Sequence, residues 1–109
     1  MSVTVVAIST ENRALLAKAP GWQETKVPSG KRVASHYHEF QAYYFTFGIS
    51  KLRTRDGEQD LPEAAMIVVP EGVAHSWVGS QEDYPAIVGH FHDGHGYHFL
   101  EDHVSGLAV

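Results

Sequence analysis

The sequence predicts an all-β domain, a sandwich or barrel of short strands. Three observations point there. Eight or more short segments are rich in β-branched and aromatic residues, many alternating apolar with polar. Turn residues recur between them at about the 8–12-residue spacing of such folds, as in Pro28-Ser29-Gly30, Asp56-Gly57 and Pro70-Glu71-Gly72. Only one segment carries a convincing helical pattern.

Ser2 to Ser9 is β-branched and apolar, a first strand. Thr10 can cap a short helix running through Lys18, with Leu15 and Leu16 facing inward, and Pro20-Gly21 ends it. Trp22 to Val27 alternates as a half-buried strand should. Lys31 to His38 and Gln41 to Phe47 follow, separated by a very short connection. In the second of these, Gln41, Tyr43, Phe45 and Phe47 share one face, and Tyr44 and Thr46 the other. Gly48 marks a turn or bulge. Ile49 to Arg55 is a basic strand, turned at Asp56-Gly57 onto Glu58 to Leu61. Ala65 to Val69 reads as a buried strand stopped by Pro70-Glu71-Gly72, and Ala74 to Val78 as another. Pro85 to His92 is a further strand. The tail from Asp93 carries one more near Tyr97 to Leu100.

Composition narrows the function. With 109 residues, 43% of them hydrophobic and 19% charged, the chain fits one globular domain with a real core. It has no cysteine, which excludes disulfides, thiolate metal sites and a cysteine nucleophile. The formal charge of −5 argues against a nucleic-acid partner. No apolar run approaches the roughly 20 residues that cross a bilayer. The N-terminus, MSVTVVAISTENR, lacks a basic, apolar secretory signal, so a cytoplasmic location is expected. All eight Lys and Arg lie between Arg13 and Arg55, a skew that pairing of basic with acidic strands explains.

Histidine is the outlier. There are eight, none before His36, and five fall in the last twenty residues: His90, His92, His95, His98 and His103. His36 and His38 stand at i and i+2, so on an extended strand their rings share a face and can converge on one ion. His75, just after the Pro70-Glu71-Gly72 turn, can close the group from a neighbouring strand.

These residues also resemble the two motifs of the cupin superfamily. Its first motif, Gly-x5-His-x-His-x3/4-Glu-x6-Gly, is matched by Gly30, His36-Tyr37-His38, Gln41 and Gly48. Its second, Gly-x5-Pro-x-Gly-x2-His-x3-Asn, is similar to Ala64, Pro70-Glu71-Gly72, His75 and Gly79, with Ala64 in place of the glycine and Gly79 in place of the asparagine. The resemblance covers about residues 22–92 and implies a single domain over 1–109: a double-stranded β-helix, or jelly-roll, barrel with one short N-terminal helix. It further implies one divalent transition metal held by His36, His38 and His75, with Gln41 in the place of the motif glutamate. That place comes one residue early. Glu39 is the nearest carboxylate, but its odd spacing from His38 sets it on the opposite face.

Three imidazoles suit Fe, Zn, Ni, Mn or Cu. Without a carboxylate the ion keeps its full charge, which favours Lewis-acid chemistry or activation of bound water. Tyr43, Phe45, Phe47, Trp77 and Phe91 are the expected lining of an apolar mouth for a small organic ligand. His90 and His92 form a second His-x-His pair, candidates with Tyr43 for acid–base work, although a surface or tail position is the simpler expectation. The resemblance implies a homodimer acting on a small molecule as a metal-dependent dioxygenase, isomerase or lyase. Its alternative is a non-catalytic ligand-sensing barrel, similar to the sugar-binding domain of arabinose-type regulators.

Overall fold

The computed structural model describes residues 2–92 and 97–99. Among the described residues the fold is all-β apart from one short helix. Its elements are β1 (Thr4–Ala7), α1 (Asn12–Ala17), β2 (Gln23–Val27), β3 (His36–His38), β4 (Ala42–Phe47), β5 (Lys51–Thr54), β6 (Gly57–Asp60), β7 (Ala64–Val69), β8 (His75–Val78), β9 (Ala86–His90) and β10 (Tyr97–Phe99). They form two five-stranded antiparallel sheets, ordered β1-β7-β4-β9-β2 and β10-β3-β8-β5-β6. From β3 onward the chain crosses between the sheets at every connection except the β5–β6 hairpin. Among the described residues no ladder joins the edges of the two sheets into a closed barrel.

The core lies between the sheets. Val27, Tyr44, Ile67 and Val88 of the first sheet meet Leu52 and Trp77 of the second in one buried cluster. Each large side chain so buried stabilises the fold by about 1.5–3 kcal/mol. In β4 the inward residues are Ala42, Tyr44 and Thr46, all at most 2% exposed. Tyr43, Phe45 and Phe47 therefore point to the outer face of the first sheet. There Phe47, Ala64 and Ile87 form a second small cluster, covered by Ile8, Leu16, Trp22 and Phe45.

The helix supplies one of those four covering residues. Leu16 packs onto the outer cluster, whereas Leu15 is 70% exposed. Adjacent residues on a helix diverge by about 100°, and in this single short helix Leu16 takes the inward position and Leu15 the outward one. Its start also differs from expectation: the Ser9 hydroxyl and carbonyl receive the Glu11 and Asn12 N–H groups, and Thr10 contributes only its backbone carbonyl, to Arg13. β2, expected to be half-buried, is an exposed edge strand with only Val27 buried.

Pairing of basic with acidic strands accounts for part of the charge skew. Basic β5 pairs with acidic β6, bringing Lys51 to Asp60 (3.5 Å) and Arg53 to Glu58 (3.1 Å). These exposed pairs add at most about 1 kcal/mol each. The tail strand is also present: β10 pairs with β3, setting Tyr97 opposite His38 and Phe99 opposite His36. Leu100, His95 and His103 lie outside the described residues, as does the side chain of His98.

Gly89 shows how tightly the outer face is built. The Trp22 indole lies over its α-carbon, and a Cβ added there would overlap the ring. Trp22 in turn packs against Phe45 (6.1 Å between centroids) and Phe91 (5.4 Å). Gly89→Ala is expected to destabilise the protein by about 1–3 kcal/mol, the usual cost of overpacking. A urea midpoint equal to that of wild type would contradict this packing.

Candidate metal centre

Two strands of the second sheet and one strand of the first bring the site together. β3 and β8 lie side by side with His36 directly opposite His75. The period of two on β3 sends His38 to the same side as His36. All three histidines are buried, at 5%, 1% and 0% exposure for His36, His38 and His75. One ring nitrogen from each lies within 4.8 Å of the others, close enough to hold a metal ion.

The Pro70-Glu71-Gly72 turn places two of these residues at once. Gly72 sits in the left-handed region (φ 78°), which a glycine enters without strain. Its N–H donates to the His38 carbonyl at 2.9 Å, tying the turn to β3. The next residue, Val73, offers its carbonyl to His75 Nδ1 at 2.9 Å. His36 repeats the arrangement, with Nδ1 3.1 Å from the carbonyl of Ala34, again two residues back. A carbonyl only accepts, so in both neutral rings the proton sits on Nδ1 and the Nε2 lone pair faces inward. That is the tautomer a metal ligand needs, held by the kind of backbone bond that orients ligating imidazoles.

Beside those inward-facing nitrogens stands Tyr44. Its hydroxyl oxygen is 2.9 Å from His38 Nε2, 3.2 Å from His75 Nε2 and 3.4 Å from His36 Nε2. The ring rests edge-on to Trp77 at 4.8 Å, which fixes its height in the core. A phenol has one proton to donate. It can give that proton to one nitrogen at a time, whereas a cation accepts several inward lone pairs at once, and in this respect the residues fit a metal.

Burial and the neighbouring imidazoles, those of His75 and His36 foremost, push the pKa of His38 down from 6.5 to about 3. His75 falls to about 3 through burial first and then His36. Both rings are therefore neutral at pH 7 and ready to coordinate.

The other expected site residues are distributed differently. Trp77 is at the site, 5.8 Å from His75 between ring centroids. Gln41 is exposed and donates from Nε2 to the Tyr43 hydroxyl at 2.6 Å. It shares the outward parity of Tyr43, so it stands on the wrong face of β4 to replace the motif glutamate. Tyr43 is 50% exposed on that face, Phe45 and Phe47 belong to the outer cluster, and Phe91 is 42% exposed against Trp22. These four aromatics thus wall the outside of the sheet. With Gln41 and His92, three of them border an open apolar depression there. Glu39 is exposed, as its parity required.

His90 and His92 come closer than a surface position implies. Their rings stack at 3.9 Å, and His90 Nδ1 donates to the His92 carbonyl at 3.0 Å. The His92 ring lies 5.2 Å from that of His38 and 5.3 Å from that of Tyr44. Burial lowers the pKa of His90 as well. The pair forms a second rank of imidazoles beside the first, half-buried rather than free in solvent.

Sequence reasoning missed Tyr44, and a parity argument would have found it. With three residues between it and His38, one of the two spacings of the cupin motif, stands Ala42, an inward position without a donor atom. The next inward residue is Tyr44.

No protein-family model matches the chain, and no curated protein matches it in sequence.

The depressed histidines set a pH dependence for the metal-free protein. Below about pH 6.5 the unfolded chain protonates these two rings while the folded chain resists until about pH 3. The unfolded state then binds more protons, so stability falls as the pH falls. Between pH 7 and pH 5, above the carboxylate range near ~4, the urea midpoint should drop steadily. A His38→Gln, His75→Gln double variant should show a flatter profile over that interval; an unchanged slope would count against the assignment.

Proposed function

We propose that this chain is a metal-binding protein of cupin type, holding one divalent transition metal through His36, His38 and His75 and acting on a small organic molecule. The observation that carries the reading is the paired Nδ1–H bond to a backbone carbonyl in His36 and His75. It commits two buried lone pairs to one point, where His38 and Tyr44 also arrive.

The winding of the chain supports the same reading. Strands that alternate between two antiparallel sheets, with the ligand set on neighbouring β3 and β8, are what a jelly-roll arrangement requires. An ion held here supplies Lewis acidity toward an oxygen-bearing ligand. The protein's own part is a neutral donor set, a dry inner wall formed by Trp77 and Tyr44, and a flank of imidazoles at His90 and His92 that can accept or release a proton. Dioxygenase, isomerase or lyase chemistry is consistent with these parts.

A second reading is a ligand-sensing barrel without catalysis. It is favoured by the outward position of Gln41, which leaves the centre without the fourth donor of the catalytic motif, and by the near-complete burial of the three histidines.

Tag-free protein is expected to carry about one transition-metal ion per chain by elemental analysis after equilibration with Fe(II) or Zn(II) and gel filtration. His36→Ala and His75→Ala should each weaken retention by roughly tenfold or more, since even supporting residues of a metal site contribute that much. His90→Ala should retain the ion. Metal kept equally by both ligand variants would sink the proposed centre. Oxygen uptake by the Fe(II)-loaded protein with diketone or catechol-like compounds separates the enzyme from the sensor.

A further inference from the structure

We propose that the hydroxyl oxygen of Tyr44 is the fourth protein donor to the metal, taking the place that the motif assigns to a carboxylate. The inference rests on the three-histidine centre proposed above and adds a phenolate to it.

The geometry favours a ligand over a bystander. For bonds of ~2.0 Å from metal to nitrogen or oxygen, tetrahedral donors stand about 3.3 Å apart. Tyr44 Oη lies at 2.9, 3.2 and 3.4 Å from the three Nε2 atoms, the spacing of a fourth vertex. One oxygen is shared among all three nitrogens.

Chemistry points the same way. The three imidazoles are neutral donors, and the nearest carboxylate in sequence, Glu39, is exposed. A divalent ion buried among neutral ligands retains a charge that the core does not solvate. When Tyr44 coordinates, the bond to the metal replaces the O–H bond and the proton leaves to solvent. The phenolate then supplies one negative charge inside the site. Tyr44 is itself 2% exposed, and its ring is held edge-on by Trp77.

Phenolate ligation has a signature that imidazole ligation lacks, a charge-transfer band in the visible region with Fe(III) or Cu(II). The full chain is loaded with one equivalent of each ion, and His36→Ala serves as the control for binding elsewhere. The proposal expects a coloured wild-type protein whose resonance Raman spectrum shows phenolate ring modes. Tyr44→Phe should bind one ion per chain more weakly and without colour, while Tyr43→Phe stays coloured. If wild type binds one ion at the histidines but shows no such band, Tyr44 is not a ligand and the three-histidine centre stands without it. If wild type binds no ion that His36→Ala loses, the centre itself fails and the inference with it. The Raman spectrum of wild type decides the matter even if Tyr44→Phe does not fold.

Discussion

Two backbone carbonyls, those of Ala34 and Val73, decide what the buried histidines can do. Each accepts the Nδ1–H of the histidine two residues further on, and each thereby turns an Nε2 lone pair into the space between the sheets. Were the protons on Nε2 instead, these two rings would both present donors to one hydroxyl and would repel a cation. The tautomer follows from backbone geometry on the short approaches to β3 and β8. It does not depend on a titration near neutral pH.

The rest of the fold serves that arrangement. Antiparallel pairing of β3 with β8 brings His36 against His75, and the Gly72 N–H locks the turn before β8 onto the His38 carbonyl. A slip of one residue in either strand would turn its histidines out of the core. From the opposite sheet, β4 contributes Tyr44 across the full thickness of the core, so the site exists only when both sheets are packed. Folding and assembly of the centre are therefore one event, and an ion bound there stabilises the whole domain through linkage.

Much of this was legible in the sequence, and the boundary is a physical one. Turn chemistry and alternation located the strands, because proline, glycine and the Asp-Gly pair act locally. His36, His38 and His75 were legible because spacing along a strand fixes the side on which each ring emerges. What failed was the choice of face. Alternation divides Tyr43, Phe45 and Phe47 from Tyr44 and Thr46 but does not say which set looks inward, and an aromatic outer face packed under Trp22 and Leu16 has the same pattern as an aromatic cavity. Gln41 failed with that set, since it shares their parity. Had the inward set been taken from Ala42, Tyr44 would have appeared in place of Gln41. The approach of His92 to His38 depends on the path of the chain after β9, which no local rule encodes.

The central claim is that three inward Nε2 lone pairs converge on one metal position. Long-range proton–nitrogen correlation NMR of the histidine rings tests it most directly, first metal-free and then with one equivalent of Zn(II). The account predicts Nδ1–H tautomers for His36 and His75 in the metal-free protein. It further predicts that the Nε2 resonances of His36, His38 and His75 move together to metal-bound positions at one equivalent. Protons found on Nε2 of His36 and His75, or zinc shifts confined to the histidines from His90 onward, would contradict it.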